Sequence, residues 1–310
     1  MNVHTIRATG ACPCCGEGSP TPYLSAPDRF HLRQESHTLV QCPICELVWL
    51  TDPPAMEEMS NHYGDAYHST ITRAAERGSR WVRRHNVVRR RRRSGALLDL
   101  GCSSGKFLET FKDSTWRLYG IEISSHEASI AAERTGAEVY VGDIITAPFH
   151  DNMFDVITCF DVLEHHHQPL ELLRTSVRWL KPGGILFVTL PNIACWEAII
   201  FKSYWYGLEL PRHLYHFSPK SLKTMARLAG FRNVRITTRP EQYHEHSVGY
   251  LIDEYAPRFG IKTRPLAAGM PLPLSLRTAR KLFRITIGNV FRHAAWLAGA
   301  GASMDAFLEK

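Results

Sequence analysis

"LLDLGCSSGKF", residues 97 to 107, sets apolar residues around a single acid, Asp99, and then turns through two glycines and small side chains. An apolar strand running into a small-residue turn is how many α/β proteins approach a nucleotide. The dinucleotide pattern G-x-G-x-x-G fails, because from Gly101 it requires glycines at 103 and 106, where the chain has Ser103 and Lys106. A phosphate-binding P-loop fails too, since no Gly-Lys-Ser/Thr follows the turn. The loop therefore suits something other than a pyrophosphate.

Outward from this stretch the texture alternates. Apolar runs predict strands at 96–100, 117–121, 138–141, 154–160, 184–190 and 232–238, with helical patterns at 105–113, 125–135, 168–180 and 218–230. The last helix is well punctuated, with Ser218 as N-cap, Pro219 at its first position and Gly230 as its stop. Alternation of this kind implies a mostly parallel, doubly wound sheet whose ligands bind at the carboxyl ends of the strands. Four consecutive predicted strands carry an acid there. They are Asp99, Glu122 after "LYGI", Asp143 after "VG" and Asp161 in "TCFDVLEHHH". Glu122 can accept from ribose hydroxyls, and Asp143 from an exocyclic adenine amine.

The first fifty residues differ. "CPCC" and "CPIC" give two C-x2-C turns at Cys12/Cys15 and Cys42/Cys45, the spacing of a tetrahedral sulfur site for zinc, with Cys14 as the odd thiol. Four thiolates leave no water on the ion, so the expected role is structural. In composition the 310 residues are ordinary, with 44% hydrophobic and 22% charged residues, those of a globular protein. The N-terminus lacks a signal-peptide core, no apolar run reaches membrane-span length, and the eight cysteines fit a reducing, cytoplasmic home. The formal charge of +7 is uneven: "RRHNVVRRRRR" (83–93) alone holds seven arginines, read as a solvated helix face, with an anionic membrane surface or nucleic acid as alternatives. A second basic pattern, over 275–298, reads as an amphipathic helix that packs on the protein's own sheet or lies peripherally on an anionic membrane, here its inner face.

Residues 96–192, through "ALLDLGCSSG", "YGIEIS", "GDI", "FDVITCFDVLEHH" and "WLKPGGILFVTLPN", resemble the class I S-adenosylmethionine-dependent methyltransferases, and the likeness continues through "PRHLYHFSPKSLKTMARLAGF". The zinc module with "ELVWLTDPPAMEEMSNHYG" looks like the start of a bacterial subgroup that includes sugar C-methyltransferases. The resemblance implies a Rossmann-like α/β fold. This is a seven-strand, mostly parallel sheet with an antiparallel last strand at 303–310, a small N-terminal zinc ribbon and a helical cap insertion. Its parts are a zinc module (1–52), a helical linker (53–94), the methyltransferase domain (95–239 and 301–310) and the insertion (240–300).

The family's cofactor positions fall here on Asp99, Gly101, Cys102, Ser103 and Gly105 for the methionyl end, Glu122 for the ribose, and Ile123, Asp143 and Ile144 for the adenine. Phe160 borders the sulfonium with Asp161. Ser103 stands where the family commonly has glycine, which predicts a tighter loop. His213 opens the family's E/D-H-L-x-x-F-S motif and, with His216, is a candidate base, helix capping or packing being the alternative. Asp161, Glu164 and His165 resemble the E-x-x-E-H acids of ubiquinone-biosynthesis O-methyltransferases, where Mg2+ can sit; bracing of the next helix is the alternative. The expected activity is methyl transfer to a small-molecule or sugar acceptor. O-methylation is favoured, because the subgroup's C-methyltransferases are longer. The competing readings are an RNA base methyltransferase with a zinc-ribbon RNA-binding module and a binding module without turnover. Against the RNA reading stand a different ribbon spacing and the lack of N/D-P-P-Y after the fourth strand.

Overall fold

Leu97, Leu98 and Leu100 expose no surface, which is why this unbroken apolar run makes a central strand: both of its faces must be covered, as happens inside a parallel sheet. In the computed structural model, which describes residues 10–31, 33–63, 78–112, 115–241, 243–260 and 289–310, the run is β4 (Gly95–Leu100). It pairs in parallel with β5 (Trp116–Glu122) on one side and β7 (Phe154–Phe160) on the other. Outside them, again parallel, lie β6 (Glu138–Val141) and β8 (Leu180–Pro191). With β10 (Asn233–Arg239) and β11 (Ser303–Glu309) the order is β10-β11-β8-β7-β4-β5-β6. The amide of Arg232 donates to the Glu309 carbonyl and that of Lys310 to the Gly184 carbonyl. The end of β11 therefore lies beside the starts of β10 and β8, and β11 is the antiparallel strand. The expected fold class, seven strands with the last reversed, is what the chain adopts.

Local chemistry sets the helix ends. The chain enters α3 (Ser125–Thr135) through Ser124, whose side chain accepts from the Glu127 amide, and leaves it at left-handed Gly136. After α4 (Pro169–Trp179) and α5 (Trp196–Phe201), helix α6 (Pro219–Ala229) starts from a reciprocal pair in which Ser218 and Ser221 each accept the other's backbone amide, and Gly230 (φ 111°) follows it. The arginine helix, α1 (Gly78–Arg91), is in part the solvated face expected of it, with Arg89, Arg90 and Arg91 exposed, and in part packed. Arg84 is buried, Arg83 pairs with Asp305 at 2.8 Å, Arg91 lies 3.4 Å over the Phe307 ring and Arg92 donates to the Gly183 carbonyl. Planar guanidiniums on long apolar stems can pack as well as solvate. Three other expected elements shift. The pattern at 105–113 gives only a short α2 (Lys106–Glu109). The helical linker expected over 53–94 begins with a 3-10 helix at Met56–His62 before α1, residues 64–77 lying outside the described residues. Of the pattern at 275–298, residues 275–288 lie outside them as well, and the remainder falls on α8 (Asn289–Leu297), after α7 (Tyr243–Tyr255).

The chain divides into two compact units, residues 1–70, 191–222 and 237–304 in one and 71–190, 223–236 and 305–310 in the other. The second unit is built on the parallel sheet. The first holds a four-stranded antiparallel sheet of β1 (Thr21–Pro27), β2 (Ser36–Gln41), β3 (Val48–Leu50) and β9 (Tyr215–His216). The cysteine-bearing hairpins are thus completed by a strand from far along the chain, with Trp49 opposite Tyr215 and Val48 opposite His216.

Gly120 of β5 tests the packing of the parallel sheet. A Cβ there would lie 2.7 Å from the Cys102 sulfur, an overlap of the kind that costs about 1–3 kcal/mol in a packed core. Gly120→Ala is expected to lower stability in denaturant unfolding by that amount. The double variant Gly120→Ala/Cys102→Ala should recover most of the loss.

Candidate functional site

Parallel pairing makes the strand tips level. Leu100 is opposite both Ile121 and Cys159, and Glu122 is opposite Val141. Asp161, Asp99, Glu122 and Asp143 therefore follow one another along one edge, in the spatial order β7, β4, β5, β6. Four carboxyl groups so placed repel one another, and each is held differently. Asp99 is buried, and its Oδ1 accepts from the Thr158 hydroxyl at 2.6 Å. Burial pushes its pKa up to about 7, against the pull of Thr158 and Arg84. Glu122 accepts the Ser103 amide on Oε2 (2.9 Å) and the Ser124 amide on Oε1 (3.0 Å), so each oxygen keeps a further lone pair. Asp143 accepts the Ile145 amide on Oδ1 at 2.8 Å, and its Oδ2 lies 3.6 Å from His166 Nε2. His166 is foremost in holding this carboxyl below the usual range.

The turn after β4 is left-handed at Gly101, Ser103 and Gly105, with φ of 67°, 47° and 75°. A Cβ on Gly101 would meet Val162 at 2.6 Å, so glycine is required there by sterics as well as by backbone conformation. Ser103 adopts its left-handed φ with a side chain in place, its hydroxyl 3.4 Å from Glu127 Oε2. Cys102 is buried, Ile144 is buried, and Ile123 is exposed beside Glu122.

At the β7 tip Phe160 packs edge-on against Phe107 and Phe187, 4.9 and 5.1 Å between ring centres. Asp161 (φ 58°) is gripped by Arg84 at 2.9 Å and Arg80 at 3.1 Å. The surrounding protein raises this carboxyl, but the two guanidiniums outweigh it and leave the pKa below the ordinary value. With its charge so neutralised, Asp161 suits a divalent ion poorly. Arg84 Nη2 also donates to Thr189, while its Nε and Nη1 are buried without a hydrogen-bond partner among the described residues. Glu164 is buried and His165 half-buried, on the 3-10 turn that follows Asp161. Arg80, Arg84 and His166 escaped the sequence reading. The i, i+4 spacing of the two arginines was visible, but not the acid they face.

His213 and His216 lie in the other unit. The Nδ1 of His213 is 2.9 Å from the Gly207 carbonyl, which only accepts, so the proton sits there and Nε2 carries the lone pair in the neutral ring. Glu209 Oε2 is 3.8 Å from that Nε2 and equally far from Arg212 Nε. His216 donates from Nε2 to the Leu208 carbonyl at 3.0 Å, and burial lowers its pKa to about 4. At neutral pH it is therefore an uncharged, weak base inside β9.

The sulfurs of Cys12, Cys15, Cys42 and Cys45 lie within 4.8 Å of one another. The Cys12–Cys45 and Cys15–Cys42 separations, 3.5 and 3.7 Å, are close to the edge of roughly 3.8 Å of a tetrahedron with ~2.3 Å zinc–sulfur bonds. Backbone amides of Cys14, Ile44 and Cys45 point at the knuckle sulfurs at 3.4 Å, which favours thiolates. Cys14 instead turns its thiol toward the Ser221 carbonyl, 4.0 Å away, as befits the odd cysteine.

A family profile described as "Methyltransferase domain" matches residues 72–236. A ubiquinone biosynthesis O-methyltransferase of Thiobacillus denitrificans is 30% identical over 159 residues, 46% of this chain and 66% of the relative. A probable tRNA methyltransferase 9B of Mus musculus is 28% identical over 141 residues, 44% of this chain and 31% of that protein. The chain thus spans between about a third and two thirds of the length of these relatives. The crystal structure of a SAM-dependent methyltransferase from Archaeoglobus fulgidus shares the fold, with a TM-score of 0.50 at 17% identity over 74% of this chain and 92% of that one. Among the described residues no helix is long and apolar enough to cross a membrane.

The Asp143–His166 pair gives a measurable consequence. A lowered carboxyl pKa stabilises the fold above its unfolded value, and that stability fades as pH falls through the folded one. His166→Ala removes the first cause of the shift. The Asp143 carboxyl carbon, followed by NMR, should then titrate closer to the ordinary value of about 3.9, and the variant should be less sensitive to acid over that range.

Proposed function

Because the chain belongs to the methyltransferase-domain family, we propose that it transfers a methyl group from S-adenosylmethionine to a small-molecule or glycan acceptor, at oxygen in preference to carbon. The observation that carries this reading is the level row of Asp161, Asp99, Glu122 and Asp143 beside a left-handed glycine turn. The residues fit such a cofactor: Glu122 has acceptor capacity left for two hydroxyls, and the Gly101–Gly105 turn keeps a close backbone approach open. The cofactor, when bound, supplies a methyl group already activated on sulfur.

In this reading Asp99, Gly101, Cys102, Ser103 and Gly105 hold the methionyl end. Glu122 takes the ribose, Ile123, Asp143 and Ile144 take the adenine, and Phe160 borders the sulfur. Arg84, with buried N–H groups to spare, is added to this set as a partner for the methionyl carboxylate. His213 Nε2 accepts the proton of the acceptor hydroxyl; His216 is the weaker alternative. Asp161, Glu164 and His165 shape the acceptor side, without a step through Mg2+. Cys12, Cys15, Cys42 and Cys45 hold a structural zinc ion. The parts are the zinc module (1–52), linker (53–94), methyltransferase domain (95–239 with 301–310) and cap insertion (240–300), at work in the cytoplasm. The O-methyltransferase relative supports a small acceptor. The tRNA methyltransferase relative and exposed Arg89, Arg90 and Arg93 support RNA as the second reading.

Cofactor binding is tested by calorimetry. Near pH 7 Asp99 is about half protonated, and a cationic ligand beside it favours the carboxylate. Affinity should therefore rise between about pH 6 and 8, with proton release. The free protein follows the opposite sign: the raised Asp99 pKa contributes stability that is full below the unfolded value and lost as pH climbs through about 7. Glu122→Ala should lower affinity at least about tenfold, from the loss of charge-assisted bonds; unchanged binding would remove the assignment. In turnover assays with phenolic and sugar acceptors, His213→Ala should lower kcat about a hundredfold, the low end of what a general base contributes, with cofactor affinity intact. Equal losses in both would mark the residue as structural.

A further inference from the structure

The 3-10 turn Leu163–His165 ends at His166, whose ring is fixed by the chain that follows it. The amide of Gln168, at the start of α4, lies 3.0 Å from His166 Nδ1. A backbone amide only donates, so Nδ1 accepts, and the proton of the neutral ring sits on Nε2. That N–H is buried, has no hydrogen-bond partner among the described residues, and stands 3.6 Å from Asp143 Oδ2. Good N–H···O bonds span roughly 2.7–3.2 Å, so donor and carboxylate face each other just out of bonding range. A buried donor left without a bond is costly, and a ligand at these strand ends can supply one. Oδ1 of Asp143 is taken by the Ile145 amide, which leaves Oδ2 as the acceptor next to this donor. Ile123 just after β5 and Val141 at the end of β6 keep 70% and 47% of their surface in water, apolar area of the kind a flat ring covers.

We propose that His166 and Asp143 read adenine together, Asp143 Oδ2 accepting from the 6-amine and His166 Nε2 donating to N7 beside it. This rests on the S-adenosylmethionine reading proposed for the site and adds to it the residue that senses the imidazole side of the purine. An acceptor and a donor set side by side are what the amine and N7 of adenine require. A carboxamide of Asn or Gln meets the same edge in nucleic acids with the same two functions. Here they come from two loops, one after β6 and one after β7. The ring cannot serve the other way round, because a proton on Nδ1 would face the Gln168 amide, donor against donor. His166 also keeps its neighbour an acceptor, being foremost in holding the Asp143 carboxyl below the usual range. A 6-oxo purine would set oxygen against that carboxylate, so the pair selects adenine over hypoxanthine and guanine.

The test is calorimetry of the full chain and of His166→Ala with S-adenosylhomocysteine and with its 7-deaza analogue, in which carbon replaces N7 and the amine is kept. The parent is expected to bind the 7-deaza analogue about five- to tenfold more weakly, the loss of one hydrogen bond. His166→Ala should bind S-adenosylhomocysteine about five- to tenfold more weakly than the parent does and no longer distinguish the two ligands. A histidine that only braces the turn into α4 would lower both affinities alike and leave their ratio at the parent's value, and that result would overturn the proposal. So would a parent that binds both ligands equally, a measurement that needs no variant to fold. In either case binding of S-adenosylhomocysteine leaves the cofactor reading standing. A parent that binds neither ligand removes the cofactor reading, and this inference with it.

Discussion

The hydrogen-bond register around β4 is the constraint from which the functional edge follows. A parallel ladder ties each residue of the central strand to a fixed neighbour on either side, so the ends of β7, β4, β5 and β6 come out level and their loops start from one line. Turns leaving that line need backbone conformations that L residues resist. Gly101 and Gly142 provide them at low cost, while Ser103 and Asp161 accept left-handed φ with a side chain in place. Strain held at two positions on one edge, beside four acids, marks where the fold gives up local comfort for geometry.

Clustered carboxylates are themselves a cost, and the edge meets it with four different devices. Asp99 is withdrawn from water, so it holds its proton to about pH 7. Glu122 is held by backbone amides, Asp143 by His166 and Asp161 by two arginines. Acids that look alike in the sequence therefore differ in charge and in remaining hydrogen-bond capacity. A ligand with a cation, two hydroxyls and an amine would find a distinct partner for each, which a row of equivalent acids could not provide.

The other unit rests on pairings across long stretches of chain. Its cysteine hairpins gain a fourth strand from Tyr215–His216. Arg212, fully buried, sits 3.6 Å from the equally buried Asp28 and over the Phe30 ring. Removing one partner of a buried pair leaves a bare charge, far costlier than the pair itself. Within this unit the cysteine-bearing hairpins and the segment around His213 are thus held to each other by backbone pairing and by charge.

The sequence by itself determined whatever depends on neighbours along the chain. The apolar run at 97–100 required a strand buried on both faces, the alternation around it required a wound parallel sheet, and the C-x2-C turns required paired thiols. Ser218, Pro219 and Gly230 likewise marked the ends of a helix before any partner was known. Those signals are local, because steric preference and periodicity act within a few residues. Only the tertiary structure decided which group each acid faces. Arg84 is 77 residues from Asp161 and His166 is 23 from Asp143, and no local pattern announces such pairs. It also buried Arg84, gave Arg83 an acid at Asp305 and joined β9 to the cysteine hairpins. Contacts of that range form only where packing brings separate elements to one place, and the free energy of burying them belongs to the whole fold.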